Sequence, residues 1–249
     1  MTSNRRKFIW QGALGLSATA ALPLFANARI KNTLAEHPSK LTILFQGDSI
    51  TDMGRDKSKY YANEPAGMGD GYVFQIVSHL LGTNPGKSWY HYNRGISGNK
   101  VFELARRWDD DCLQLKPDVL SILIGVNDFW HTLNGYNATV QTYEDDFRKL
   151  LDETLVSLPN VRLIIGEPFA VKGGSAISQR WYPEFLKYQQ AAARIAHDYK
   201  GRFVPYQQVF DEALQLAPVS YWCPDGVHPS IAGAFLMKEA WLKTFYSLF

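Results

Sequence analysis

Four short polar segments of this 249-residue sequence carry side chains that could together hydrolyse an ester. In chain order they are Gly47-Asp48-Ser49, Asn93-Arg94-Gly95, Gly125-Val126-Asn127-Asp128 and Asp225-Gly226-Val227-His228. Ester hydrolysis needs a nucleophile, a base held by a carboxylate, and hydrogen-bond donors for the oxyanion that forms. Between them, the four segments contain all of these parts.

Ser49 is the predicted nucleophile and His228 the predicted base, because a serine hydroxyl attacks an acyl carbon only when a base accepts its proton. Asp225 lies three residues before His228, so one turn could hold its carboxylate against the other ring nitrogen. The predicted oxyanion donors are the backbone N–H groups of Ser49 and Gly95 and the side-chain amide of Asn127. Gly95 suits this role because a residue without Cβ lets a ligand approach its backbone closely.

Each segment also has a simpler interpretation, since Gly-Asp-Ser and Gly-x-Asn-Asp usually mark turns. It is their joint order along the chain that favours catalysis. Ser97 is a rival nucleophile, but Asn99 stands where a Gly-x-Ser-x-Gly elbow requires glycine. His131 is a rival base, although Phe129 and Trp130 beside it favour a place in the lining of the pocket.

Metal and cofactor chemistry finds little support in the sequence. Dinuclear phosphoesterases also use Asp, Asn and His, but they need clustered ligands, and neither Gly-Asp-x-His nor His-x-His occurs here. The sequence also lacks a phosphate-binding Gly-x-x-x-x-Gly-Lys motif and a dinucleotide fingerprint. We therefore predict an enzyme without a metal or other cofactor.

The elements that must position these residues follow from alternating apolar runs and helical spacing. The predicted strands are residues 41–45, 88–92, 119–124, 161–165 and 202–204. The predicted helices are residues 72–81, 101–113, 142–158, 183–199, 207–216 and 231–249. Alternation of strand and helix predicts an α/β fold, a three-layer α/β/α sandwich with a mostly parallel sheet. Three polar segments directly follow the first three strands, so we expect them on the carboxyl edge of the sheet, where ligands bind.

The four segments resemble the motifs of the SGNH hydrolases, also called GDSL esterases and lipases. Ser49, Gly95, Asn127 and His228 match the four residues that name the family, and Ile50 replaces the leucine of its first motif. The resemblance runs from about Leu41 to the C-terminus. It implies a flavodoxin-like sandwich and metal-independent ester hydrolysis through an acyl-enzyme. Exported relatives of this size often remove acetyl groups from carbohydrates, which makes a carbohydrate acetylesterase the favoured interpretation.

The substrate is less well determined by the sequence. Trp130 and Trp222 are candidate substrate-binding residues because each lies close to a predicted catalytic residue, and Asp48 and His131 complete this set. For a single aromatic side chain, ordinary packing is the competing explanation. A lysophospholipase or thioesterase acting on longer acyl chains, a carbohydrate-binding module without activity, and an acyltransferase are the alternative functions.

Residues 1–28 have the features of a twin-arginine signal peptide: Arg5-Arg6-Lys7, an uncharged stretch over residues 12–25, and Ala26-Asn27-Ala28 at a cleavage spacing. Residues 29–40 are predicted to be a linker and residues 41–249 the hydrolase domain. This organisation predicts a periplasmic or secreted bacterial protein. A retained membrane anchor is disfavoured, because the apolar stretch is short and Pro23 interrupts it.

Composition and charge exclude some partners. The chain is 46% hydrophobic and 20% charged, as soluble proteins are. It has 26 basic and 24 acidic residues, and three basic ones lie in the predicted signal peptide, so the remainder is near −1. We therefore expect an ester substrate and no nucleic-acid partner; the oligomeric state stays open. An oxidising compartment would permit a disulfide, but Cys112 and Cys223 are expected at opposite ends of the sheet, which favours separate thiols.

Overall fold

The computed structural model describes residues 37–249, which form one α/β unit around a five-stranded parallel sheet. The strands are β1 (Lys40–Gly47), β2 (Ser88–Asn93), β3 (Val119–Leu123), β4 (Arg162–Gly166) and β5 (Arg202–Val204). Their order is β2-β1-β3-β4-β5, the order of flavodoxin-like sheets. The predicted fold class and all five predicted strands are confirmed; β1 begins at Lys40, within the predicted linker.

The central strands are apolar because helices cover both faces of the sheet. Every residue of β3 is buried, and Ile43, Leu44 and Phe45 of β1 have no exposed surface. In such a strand the usual alternation of apolar and polar residues is lost, and a continuous apolar run remains. This is why β1, β3 and β4 stand out in the sequence.

The helices pack against one another in two groups. The ten α-helices of the described residues are α1 (Ser49–Asp52), α2 (Pro65–Met68), α3 (Tyr72–Thr83), α4 (Val101–Ala105), α5 (Val126–Trp130), α6 (Val140–Ser157), α7 (Glu184–Asp198), α8 (Tyr206–Ala213), α9 (Val219–Trp222) and α10 (Ile231–Tyr246). Helix α10 packs on α3 and α8, whereas α6 packs on α4 and α7. The sheet lies between these groups, which gives the expected three layers.

One predicted helix is wrong in its length. The expected helix over residues 101–113 ends at Ala105, and the chain resumes as a π-helical turn at Asp109–Leu113. Between the two, the buried Trp108 donates its ring N–H to Thr154 Oγ1 at 2.9 Å. The break thus directs Trp108 into the core and turns Arg107 towards the loop after β2.

The remaining sequence predictions concern the two cysteines, the N-terminal segment and a membrane anchor. Cys112 and Cys223 are both buried and unpaired, as favoured by their separation. The predicted signal peptide and most of the predicted linker lie outside the described residues and stay predictions. Over residues 37–249, every helix is too short or too polar to cross a membrane.

Candidate active site

Three of the four polar segments meet at the carboxyl edge of the sheet. Ser49 begins α1 two residues after β1 ends, and Asn127 lies in α5 directly beyond β3. Phe45 of β1 pairs with Asn93 of β2, and Gly47 of β1 with Leu123 of β3, so the three strand ends lie side by side. The juxtaposition expected from the sequence is therefore present.

The fourth segment completes a hydrogen-bonded chain to Ser49. Ser49 Oγ lies 2.7 Å from His228 Nε2, and His228 Nδ1 lies 2.6 Å from Asp225 Oδ2. The other oxygen of Asp225 accepts the backbone N–H groups of Val227 at 2.8 Å and His228 at 2.7 Å. One carboxylate thus orients both the imidazole ring and the turn that carries it, as in a serine hydrolase triad.

The charge state of Asp225 follows from these contacts. Partial burial raises the pKa of Asp225, but hydrogen bonds from the backbone and ring of His228 and from the backbone of Val227 outweigh it, and the net pKa is lowered. The carboxylate is therefore ionised at neutral pH and can stabilise a positive charge on His228.

The turn that carries Asp225 and His228 is held by the loop after β4. Val171 N–H donates to Gly226 O at 2.8 Å, and Ala176 N–H donates to Asp225 O at 2.9 Å. Gly226 has φ +87°, and a Cβ there would lie 2.7 Å from Val171 O. Only glycine fits this combination of conformation and close approach.

Asp48 does not have the predicted role of contacting substrate. Its side chain has no exposed surface and caps α1 by accepting Ile50 N–H at 3.0 Å. Burial raises its pKa to about 7, because a charged carboxylate is poorly solvated in the interior. Asp48 therefore supports the helix turn on which Ser49 lies, which corrects the prediction.

Two of the three predicted oxyanion donors have N–H groups available. Ser49 occupies the first position of α1, where a backbone N–H has no acceptor within the helix. Asn127 is buried and donates one amide hydrogen to Asn99 O at 3.2 Å, which leaves the other for a ligand. Gly95 differs, since its N–H donates to Asn93 Oδ1 at 2.9 Å and is already used. The prediction for Gly95 is therefore wrong.

Gly98 is the glycine of this loop whose N–H remains available. It is partly exposed, and its N–H donates to no acceptor among residues 37–249. Its φ of +81° favours glycine, and it directly precedes Asn99, which binds the Asn127 amide. Sequence reasoning missed Gly98, although the second glycine of Gly95-Ile96-Ser97-Gly98 was a visible signal for a left-handed turn residue.

The two rivals for the catalytic roles have other partners. Ser97 donates both its hydroxyl, at 2.7 Å, and its backbone N–H, at 2.9 Å, to Asp52 Oδ2, so its hydroxyl is bound to a carboxylate. His131 lies near Lys100; burial lowers the pKa of His131, and the Lys100 charge lowers it further. The serine and histidine that are hydrogen-bonded to each other are Ser49 and His228.

The predicted substrate-contacting aromatic residues are half-buried. The Trp130 ring packs on Trp181 with centroids 5.4 Å apart. Trp222 donates its ring N–H to Ala217 O at 3.2 Å and meets the exposed Tyr221 ring edge-on at 4.7 Å. Their contact with substrate, and that of His131, stays a prediction. Among residues 37–249, His, Cys, Asp and Glu side chains nowhere gather in a group of three that could hold a metal ion.

Comparison with known proteins identifies the family. The GDSL-like Lipase/Acylhydrolase family profile matches residues 45–234. An acetylxylan esterase from Geobacillus stearothermophilus is 33% identical over 206 residues, 81% of this chain and 92% of the relative. A protein from Parabacteroides merdae designated a GDSL-like lipase has a crystal structure that matches with TM-score 0.81 and 48% identity, over 82% of this chain and 95% of that one.

The Geobacillus enzyme also matches as a structure, with TM-score 0.72 and 32% identity over 82% of this chain and 93% of its own. Its structures with a serine, an aspartate or a histidine replaced by alanine are described as catalytic mutants, and that aspartate precedes the histidine by three positions.

A parallel α/β/α sandwich with a serine, histidine and aspartate linked at its carboxyl edge is one of the architectures found in carboxylic ester hydrolases. The chain belongs to the GDSL-like lipase/acylhydrolase family, and it is an enzyme of this kind. The resemblance to SGNH hydrolases stated from the sequence is confirmed.

Proposed function

We propose that this enzyme is a serine esterase that forms an acyl-enzyme on Ser49 and removes acetyl groups from carbohydrates. The observation that carries the proposal is the unbroken relay from Ser49 Oγ through both nitrogens of His228 to Asp225, with links of 2.7 and 2.6 Å. A serine held this way can lose its proton as it attacks.

In the proposed reaction, His228 Nε2 accepts the Ser49 hydroxyl proton while Oγ bonds to the acetyl carbon. The tetrahedral intermediate collapses, its bond to the sugar oxygen breaks, and the proton passes from His228 to that oxygen. Water then attacks the acetyl-Ser49 ester with His228 again as base, and acetate leaves. Asp225 stabilises the imidazolium in both steps.

The proposed oxyanion donors are the Ser49 and Gly98 backbone N–H groups and the Asn127 side-chain amide. Each is preorganised: Ser49 by α1, Gly98 by the loop after β2, and Asn127 by its bond to Asn99. Fixed donors stabilise the developing negative charge without reorganising during the reaction.

Two observations favour acetyl esters of carbohydrates as the substrate. The Geobacillus relative is named an acetylxylan esterase. In addition, the side chains of His228 and Asp225 are 37% and 33% exposed. An open site accepts a short acyl group on a bulky sugar, whereas a long acyl chain is better served by an apolar channel.

Hydrolysis of p-nitrophenyl acetate tests the nucleophile. We expect Ser49→Ala to lower kcat by about 10³-fold or more, because no other group can form the acyl-enzyme. Ser78→Ala, which changes an exposed serine on α3, is the matched control and should leave kcat unchanged. Full activity of Ser49→Ala would contradict the proposal.

Rates on acetyl, butyryl and octanoyl esters, together with acetate release from acetylated xylan, test the substrate. We expect the acetyl ester to be fastest and acetate to be released. A preference for octanoyl esters would favour a long-chain esterase, and xylan binding without any turnover would favour a binding module.

A further inference from the structure

The loop over residues 94–99, between β2 and α4, is fixed by arginine side chains that sequence analysis did not single out. Its backbone is tied to β1, since Arg94 N–H donates to Phe45 O at 2.8 Å and Ile96 N–H to Gly47 O at 3.1 Å. Two of its carbonyl groups accept from guanidinium groups. Arg55 Nε donates to Gly95 O at 2.8 Å, and Arg107 Nη1 donates to Arg94 O at 2.8 Å.

Arg107 connects this loop to Asn127. Its Nε donates to Asn99 Oδ1 at 3.1 Å, and Asp111 Oδ2 accepts from its Nη1 at 2.6 Å. The backbone carbonyl of Asn99 in turn accepts the Asn127 amide at 3.2 Å. A continuous hydrogen-bonded path therefore runs from Asp111 through Arg107 and Asn99 to Asn127.

The same path brackets Gly98 in the chain. Arg107 binds the side chain of Asn99 at one end of the loop and the carbonyl of Arg94 at the other. Gly98 lies between these two anchors in a left-handed conformation, with φ +81°, and a Cβ built there would meet no atom within 4 Å. Without the hydrogen bond from Arg107 to Asn99, only the local backbone would fix the direction of the Gly98 N–H.

We propose that Arg107 is a positioning residue that sets the oxyanion hole from a distance, through Asn99. The inference rests on the proposed function, since it assigns the oxyanion to Gly98 and Asn127. Displacement of such donors by a fraction of an ångström lowers the rate of the chemical step more than it lowers ground-state binding.

The planar guanidinium is essential to this arrangement. Nε and Nη1 point to Asn99 Oδ1 and Arg94 O at the same time, while Asp111 orients the group. A lysine ammonium is a compact point charge on a flexible stem, so it cannot reproduce this fork. Conservation of charge alone should therefore not restore activity.

The experiment compares Arg107→Gln and Arg107→Lys with Arg106→Gln. Arg106 is the exposed neighbour in the chain, and its guanidinium lies over the Phe102 ring at 4.8 Å. For p-nitrophenyl acetate we expect both Arg107 variants to lose about 10–100-fold in kcat with KM changed less than about threefold. Arg106→Gln should match the unmodified enzyme.

The pattern of kcat among Asn99 variants distinguishes loss of the Arg107–Asn99 hydrogen bond from general destabilisation of the fold. Asn99→Asp keeps an acceptor for Arg107 and should retain most of kcat, whereas Asn99→Ala should lose as much as Arg107→Gln. The double variant Arg107→Gln/Asn99→Ala should lose no more than the worse single variant, because both break one link. Asn99→Ala also tests the link if Arg107 variants fail to fold, since Asn99 is partly exposed.

Two outcomes would overturn this inference while leaving the proposed function intact. One is an unchanged kcat in folded Arg107→Gln while Ser49→Ala is inactive. The other is a double variant whose loss equals the product of the single losses, which would mean that the two residues act separately. Full activity of Ser49→Ala would instead remove the proposed function itself.

Discussion

The Asn127 side chain has two amide hydrogens with different tasks. One is bound to Asn99 O, which fixes the plane of the amide, and the other is available to substrate. We expect Asn127→Ala to lower kcat by about 10²–10³-fold, the usual cost of losing one oxyanion donor. Steady-state kinetics on p-nitrophenyl acetate measure the change.

The matched control for that variant is Asn134→Ala, which removes an exposed amide shortly after α5. It should leave kcat unchanged. If Asn127→Ala raised KM and left kcat intact, Asn127 would bind the ground state of the substrate rather than the oxyanion.

At the residue level, the sequence indicated the grouping of side chains more clearly than the availability of backbone N–H groups. Ser49, Asp225 and His228 were selected because their chemistry lies in their side chains and their order is distinctive, and the structure brings them within hydrogen-bonding distance. Gly95 was chosen over Gly98 because a sequence does not reveal which N–H is already bound. The contact between Asn93 Oδ1 and Gly95 N–H, which the sequence does not show, distinguishes the availability of the two N–H groups.

At the level of elements, the turn at Asp225–His228 depends on Gly226. We expect Gly226→Ala to destabilise the fold by roughly 1–3 kcal/mol, since it combines a strained φ with a clash against Val171 O. It should also lower kcat, because Asp225 and His228 would shift with the turn. Urea unfolding and steady-state kinetics measure the two effects.

The variant Gly86→Ala separates the effect of the positive φ from the effect of the steric clash with Val171 O. Gly86 has nearly the same φ, +86°, but a Cβ there would meet no atom within 4 Å. This control should lower the free energy of unfolding by less, about 1 kcal/mol, and should leave kcat unchanged. Equal destabilisation by the two substitutions would mean that the loop after β4 does not constrain the turn.

Elements were predictable in proportion to their length and burial. The apolar strands and the long helices α3, α6, α7 and α10 show a clear period or a continuous apolar run. Helices α1 and α5, which carry Ser49 and Asn127, span four and five residues and are too short to show a period. The break after α4 was missed because it depends on where Trp108 finds its partner in the core.

At the level of the whole molecule, two buried carboxyl groups link stability to pH. Burial, together with the nearby Asp48 carboxyl, raises the pKa of Asp128 to about 7. Between about pH 4 and pH 7 the folded protein keeps a proton that the unfolded chain has lost, so stability falls as pH rises through this window. Above pH 7 the cost of the buried charge is complete.

Asp128→Asn removes this titration while preserving an oxygen to accept Val101 N–H. We expect the substitution to raise the free energy of unfolding, relative to the unmodified protein, by roughly 1–3 kcal/mol more at pH 8 than at pH 5. Urea unfolding at both pH values measures the difference. Asp70→Asn, at an exposed position, should show none; a pH-independent effect of Asp128→Asn would contradict the assignment.

Cys112 and Cys223 lie buried without a bond between them. The native state therefore needs neither an oxidant nor a disulfide isomerase to form. The free energy of unfolding and the activity should then be the same with and without a reducing agent.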